Sequence, residues 1–263
     1  MTAIADKTIF ISGGARGIGL AVALRLARDG ARLVITSRSD TESAVAAIEE
    51  AGGRALGLTL DMDDPQQIDR AVAQTADHFG GIDALVHNAS QIHLGPLERI
   101  SSRALEVMLA VNTHGPLHLT RAALPHLRRA TNPHIVAMAP PVNMSRRWFT
   151  GRTPYAITKL SLSMMVMGLA EEFRRYGIAV NAVWPLTVID TAALKHAQHV
   201  KAENCRKPEI VADALHVLLT RPARISTGRF FLDEELLREY GVSDFRKYAV
   251  SPGKPLMSDL FTD

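Results

Sequence analysis

Tyr155 and Lys159 lie four residues apart in "PYAITKLSL", a spacing that puts both side chains on one face of a helix. A phenol beside an ammonium is a proton-exchange device. The free phenol ionises only near pH ~10, and a neighbouring cation favours the phenolate. Lowering that value by about three units takes roughly 4 kcal/mol. Tyr155 is therefore the candidate general acid/base and Lys159 its tuning partner. The same pair also occurs on surface helices that do no chemistry, so its meaning depends on the rest of the chain.

A second chemical group is made of glycine. "SGGARGIG" (12 to 19) sets Gly13, Gly17, Ile18 and Gly19 after an apolar run and at the start of a helical pattern. Glycines there let the backbone approach a pyrophosphate, and the helix N-terminus offers free N–H groups. No Lys-Ser or Lys-Thr pair follows, which disfavours a nucleotide-hydrolase loop. The next apolar run ends in "TSRSD". A site for NAD(H) usually has an acid there for the ribose 2′-hydroxyl; this chain has Ser37 and Arg38, with Arg16 in the glycine loop. Two guanidiniums suit a 2′-phosphate, so NADP(H) is favoured and NAD(H) stays possible. Asp61, followed by Met62, is placed to meet the adenine or to cap the following helix.

Those groups need a frame. Seven apolar runs, at 7–12, 32–36, 54–60, 83–88, 134–139, 178–184 and 228–232, alternate with helical patterns. The helix at 17–30 stops at Gly30, and "DDPQQIDRAVAQTADHFGG" opens on acids and proline and closes on glycines. This order predicts an α/β fold: a single doubly wound Rossmann-type domain over residues 1–263, its seven-stranded parallel sheet flanked by helices and buried on both faces. A less regular tail is expected from about 233 to 263. Functional residues then gather at the carboxyl ends of the strands.

Composition narrows the function classes. An apolar fraction of 47%, a charged fraction of 22% and a net charge of +3 are ordinary for a globular chain, and the basic residues are spread out. Nucleic acid is not implied, and no apolar run approaches a membrane span. One cysteine, Cys205, excludes an internal disulfide, and no Cys/His spacing suggests a metal site. With no secretory pattern at the N-terminus, the expectation is a cytoplasmic protein.

Taken together, "SGGARGIG", "HNAS" (87 to 90), "VNTHG" (111 to 115), Tyr155-x-x-x-Lys159 and "NAVWP" (181 to 185) resemble the short-chain dehydrogenase/reductase family along nearly the whole chain. "MAPPVNM", "NCRKPEIVADA" and "VSPGKPL" look most like the dehydrogenase portion of its hydroxysteroid dehydrogenase-like protein 2 group. The resemblance implies interconversion of a secondary alcohol and a carbonyl, with Lys159 also on the nicotinamide ribose. The positive charge of the oxidised nicotinamide would help to stabilise the phenolate. Asn112 would hold a helix kink and a relay water. Asn88 and Ala89 would line the cofactor site. Pro185, Val188, Ile189 and Thr191 would lie by the nicotinamide, the segment 190–207 would form a mobile lid, and a homodimer or homotetramer would be usual.

One part of the pattern is missing. The family's hydroxyl donor ends the fifth strand as a serine; here Ala139 and Pro140 stand in its place, and proline offers neither side-chain nor backbone donor. Loss of one such donor costs about a hundredfold or more. Either Asn143 or Ser145 on the longer following loop supplies the hydrogen bond, or the tyrosine works slowly alone; Ser145 also reads as a loop residue beside solvated arginines. An alternative function is a catalytically weak or inactive NADP(H)-binding protein used for sensing or assembly. Met138, Met144, Trp148, Phe149, Trp184 and Leu194 offer apolar surface for a lipophilic substrate, or equally serve as core.

Overall fold

The structure, a computed structural model, describes residues 4–194 and 200–262. Its strands are β1 (Thr8–Ser12), β2 (Arg32–Ser37), β3 (Arg54–Thr59), β4 (Ala84–His87), β5 (His134–Met138), β6 (Ala179–Trp184) and β7 (Phe230–Leu232). They form one parallel sheet in the order β3-β2-β1-β4-β5-β6-β7. β1, β4, β5 and β6 are buried along their whole length, which explains their unbroken apolar runs. β3 departs from that expectation. As an edge strand it has β2 alone for a neighbour, and both its ends are exposed.

Helices cover both faces. On one side α1 (Gly17–Ala27), α2 (Glu42–Glu50), α7 (Glu209–Thr220) and α8 (Asp233–Glu239) pack on Ile9, Ile11, Leu33 and Ile35. On the other, α3 (Pro65–Phe79), α5 (Gly115–Leu127) and α6 (Thr153–Glu172) pack on Phe10, Val34, Leu85 and Ile135. Alternation along β1 and β2 thus feeds two cores at once. The helix ends follow their local chemistry. Asp64 caps α3 by accepting from the Gln66 and Gln67 N–H groups, Pro65 opens its first turn, and Gly80 closes it at φ 86°. Between α4 (Ser102–Leu109) and α5 the chain makes a wide π turn over Ala110–His114.

β2 and β3 lie to one side of β1 and β4 to the other, so the strand order reverses between β1 and β4. A crevice opens at that switch point, above the carboxyl ends of the strands.

The tail corrects the sequence reading. Asp233, Glu234 and Glu235 open α8, where acids suit the positive end of the helix dipole. Beyond α8 the chain has little regular structure, yet it is firmly docked. Phe261 is buried at 1% exposure and lies 5.9 Å from the Trp148 ring and 6.2 Å from the Trp184 ring, centroid to centroid. Among the described residues no helix is long and apolar enough to cross a membrane.

Candidate active site

The glycine loop joins β1 to α1. Gly13 has φ 68°, which an L side chain rarely adopts, and a Cβ on Gly19 would lie 2.3 Å from the Gly13 carbonyl oxygen. Glycine is therefore required at both positions, one for the turn and one for close packing. Asn88, just past β4, clamps the loop: its Nδ2 donates to the Ser12 carbonyl at 3.1 Å and to the Gly13 carbonyl at 2.8 Å. Ser12 Oγ accepts from the Asn88 and Ala89 N–H groups, which ties the end of β4 to the end of β1.

A cleft of about 690 Å³ runs from this loop across the ends of the strands. Gly13, Arg16, Gly17, Ile18, Ser37, Arg38, Asp61, Met62, Asn88, Ala89, Pro185, Val188, Ile189 and Thr191 all line it, with Tyr155 and Lys159. Gly19 and Asn112 do not; they support it from behind. Arg16 and Arg38 are exposed and make no ion pair among the described residues. Asp61 is no helix cap, since Asp64 takes that part; its Oδ1 accepts from the Asp63 N–H. The donors fit a dinucleotide with a 2′-phosphate: a glycine cradle too tight for a Cβ, a helix N-terminus behind it, the Arg16 guanidinium in the glycine loop, and at the end of β2 the Ser37 hydroxyl and the Arg38 guanidinium where an acid would read a ribose.

Tyr155 and Lys159 rise from one face of α6, both buried. Lys159 Nζ donates to the Met138 carbonyl at 2.7 Å and lies 5.1 Å from the Trp184 ring centroid. Burial lowers the ammonium to about 8, with the charge of Asp259 opposing. Burial pushes the Tyr155 phenol above its ordinary value, and Asp259 adds to the rise. The sequence reading expected Lys159 and an oxidised nicotinamide to lower this value; for the protein alone, burial is the larger influence.

Asn112 sits in the π turn with every hydrogen-bonding site of its side chain in use. Oδ1 accepts from the Gln91 N–H and Ser90 Oγ, while Nδ2 donates to the Gln91 carbonyl and Thr158 Oγ1. Its amide braces the turn against α6 and has no bond left over for a water.

At the end of β5, Ala139 and Pro140 are buried away from the cleft, and the Pro140 carbonyl accepts from Ser163 Oγ. The loop that follows does not bring Asn143 or Ser145 to the site. Asn143 Oδ1 accepts from the Ser145 N–H, Ser145 is exposed, and neither lines the cleft. Trp148 and Phe149 are held in a separate cluster with Phe261 and Leu260, and Met144 is 69% exposed. Of the apolar candidates, Met138 and Trp184 do line the cleft. The Leu194 side chain and residues 195–199, within the expected lid, lie outside the described residues. The segment is pinned at its two ends by the Asp190 N–H to the Arg206 carbonyl and the Arg206 N–H to the Val188 carbonyl.

The residues that sequence reasoning missed are Met257, Ser258, Asp259 and Leu260, which form one wall of the cleft. They are laid beside the segment after β6 by the Val188 N–H to the Met257 carbonyl, the Asp259 N–H to the Leu186 carbonyl and Trp184 Nε1 to the Leu260 carbonyl. The available signal was "LMSDLF", an acid set among large apolar residues, unlike a solvated end.

Residues 7–201 match the short chain dehydrogenase family. Hydroxysteroid dehydrogenase-like protein 2 of Danio rerio is 43% identical over 99% of this chain, and the chain covers 65% of it; the rat protein is 42% identical and 51% covered. The chain thus spans between half and two thirds of the length of these curated relatives. A crystal structure from Xanthomonas campestris, assigned as a dehydrogenase, aligns over 100% of both chains at 43% identity and a TM-score of 0.97. A short chain dehydrogenase of Burkholderia cenocepacia in complex with NADP aligns over 88% of this chain and 97% of its own, at 29% identity and a TM-score of 0.77. With its sheet order, glycine loop and Tyr155-Lys159 pair in agreement, the chain belongs to the short-chain dehydrogenase/reductase family.

Proposed function

We propose that this protein is an NADP(H)-dependent oxidoreductase that interconverts a lipophilic secondary alcohol and the corresponding carbonyl. One observation carries the reading: a single cleft runs from two guanidiniums without ion-pair partners among the described residues, Arg16 and Arg38, to the buried pair Tyr155 and Lys159. NADP in the Burkholderia relative supports the cofactor, with NAD(H) the weaker choice because Ser37 and Arg38, not an acid, stand at the end of β2. Apolar walls from Ile92, Leu94, Met138, Trp184, Met257 and Leu260 support a lipophilic substrate, as does the name of the hydroxysteroid dehydrogenase-like relatives.

Gly13, Gly17 and the N-terminus of α1 hold the pyrophosphate, Ser37, Arg16 and Arg38 the 2′-phosphate, and Lys159 the nicotinamide ribose. Bound NADP(H) supplies hydride exchange. Tyr155 gives its proton to the substrate oxygen or takes one back. Its raised pKa keeps the proton on at neutral pH, which suits carbonyl reduction. Asn112 is a positioning residue, because its four bonds tie the turn to Ser90 and Gln91 after β4 and to Thr158 of α6.

The second reading, a weak or inactive cofactor-binding protein, draws on Pro140 in place of a hydroxyl donor. Ile157, Met164 and Met167 leave an exposed apolar stripe on α6 that suits a second copy of the chain, hence a homodimer or homotetramer. The free, buried Cys205 agrees with the reducing cytoplasm. Loss of NADPH absorbance with a panel of steroid, terpenoid and acyl ketones tests the function. Turnover that disappears in Tyr155→Phe supports it; tight NADPH binding with no ketone reduced sinks the first reading in favour of the second.

A further inference from the structure

The end of the chain places a carboxyl group in a cleft whose usual serine is replaced by Ala139 and Pro140. Ala139 and Pro140 contribute no hydroxyl, the Ser90 hydroxyl is spent on Asn112 Oδ1, and Asn143 and Ser145 are elsewhere. Asp259 lines the cleft with Tyr155, Lys159, Met138 and Trp184. Its backbone is held on both sides: the Asp259 N–H donates to the Leu186 carbonyl at 3.1 Å, and Thr262 Oγ1 donates to the Asp259 carbonyl at 2.7 Å. A paired bridge between Thr187 and Ser258 and the buried Phe261 fix the residues before and after it. In its own side chain Oδ1 accepts from the Leu260 N–H at 2.7 Å, while Oδ2 has no hydrogen-bond partner among the described residues.

We propose that Asp259, as a carboxylic acid, donates from Oδ2 the hydrogen bond to the substrate oxygen that a serine gives in other members of the family. This rests on the oxidoreductase reading and adds a catalytic residue to it. No proton is transferred by Asp259; Tyr155 still supplies the one that ends on the substrate oxygen. The ionised form of Asp259 would repel the oxygen as negative charge builds on it, so the acid form is the active one in carbonyl reduction.

The charged and titratable groups around Asp259 agree. Burial, with the negative charge of Asp233, pushes the Asp259 carboxyl up to about 7, and the Lys159 ammonium pulls the other way. Asp233 is itself raised to about 6 by burial, and its Oδ1 accepts from the Leu186 N–H. Asp233 thus holds the Leu186 N–H while the Asp259 backbone holds the Leu186 carbonyl, and the negative charge of Asp233 disfavours ionisation of Asp259. Tyr155 faces Asp259 from α6 and is neutral. Near neutrality a large share of Asp259 is therefore protonated.

The test uses the full chain with NADPH and acetophenone carrying ¹³C at its carbonyl. A hydrogen bond to the oxygen moves that carbon resonance downfield. The expected result is a downfield shift in the wild type that shrinks as pH rises through about 7, stays large without pH dependence in Asp259→Asn, and is reduced at every pH in Asp259→Ala to the part that Tyr155 alone gives. Reduction of any ketone turned over should follow the same order. Asp259→Ala should lose about a hundredfold, and Asp259→Asn should recover most of it through its amide donor. Protection of the Val188 amide, which bonds to Met257, reports whether the tail stays docked. An Asp259→Ala protein with a docked tail and wild-type shift or rate overturns the proposal, as does an Asp259 carboxyl that titrates in the ordinary carboxylate range. A carbonyl shift with no turnover keeps the donor and sinks the oxidoreductase reading; turnover indifferent to Asp259 does the opposite.

Discussion

Replacing Phe261 by alanine should detach the C-terminal tail from the cleft while the sheet stays folded. Phe261 is 1% exposed and packs against Trp148 and Trp184 in a small cluster apart from the two main cores. Phe→Ala at such a site costs about 3–5 kcal/mol. Hydrogen bonds also hold the tail, among them Trp184 Nε1 to the Leu260 carbonyl, the Val188 and Asp259 N–H groups to the Met257 and Leu186 carbonyls, the Met257 N–H to the Asn204 carbonyl and Asn204 Nδ2 to the Pro255 carbonyl. The loss therefore falls on local opening. A drop of about 3 kcal/mol, at 1.4 kcal/mol per tenfold, means opening more than a hundredfold more often. Amide hydrogen exchange reads this directly. Val188 and Asp259 should lose about two orders of magnitude of protection, whereas the central strand residues Phe10 and Leu85 should keep theirs. Unchanged exchange at Val188 would refute the docking, and equal loss everywhere would show that the tail is part of the global fold.

Three further outcomes follow from the same geometry. Arg38→Ala should weaken NADPH by about ten- to a hundredfold, the loss of charge-assisted bonds worth about 1.5–3 kcal/mol, and leave NADH within about twofold; equal weakening of both in fluorescence titrations would remove the 2′-phosphate assignment. Tyr155→Phe should lower kcat by about 10²–10⁴ with little change in NADPH affinity, and a Kd that rises in step with the loss would make Tyr155 a binding residue instead. His87 is buried, bonded to Thr120 Oγ1, and held at about 4 by burial, against 6.5 when exposed. Unfolding therefore takes up a proton between those pH values, so the stability His87 contributes is complete above about 6.5 and disappears as pH falls toward 4. The gap in unfolding free energy between wild type and His87→Gln should change by about 3 kcal/mol, against the wild type, from pH 7 to pH 4; a constant gap in urea titrations would show that His87 is not held neutral.

Much of the fold was legible because its causes are local. The apolar runs of β1, β4, β5 and β6 announce strands buried on both faces, and Gly13 and Gly19 mark places where backbone leaves no room for a Cβ. Tyr155 and Lys159 were legible through helical spacing. The sequence could not show that β3 lies at an edge, since its residues resemble those of its neighbours and only the strand order exposes it. Nor could it place Asp259. That residue reaches the cleft through its backbone bond to Leu186 and through the ring contacts of nearby Phe261 with Trp148 and Trp184, all from far along the chain and without any periodicity. The lowering of Tyr155 that Lys159 and an oxidised nicotinamide would bring was legible for a related reason of spacing, while the burial that opposes it was not.

The most direct measurement of the central claim is the fate of deuterium from stereospecifically C4-deuterated NADPH, followed by mass spectrometry of the products of a ketone panel. The account predicts one deuterium on the carbinol carbon of a secondary alcohol, delivered from one face of the nicotinamide only, and transfer slowed by about 10²–10⁴ with Tyr155→Phe. Deuterium retained on the cofactor with every ketone, by a protein that still binds NADPH tightly, would contradict it.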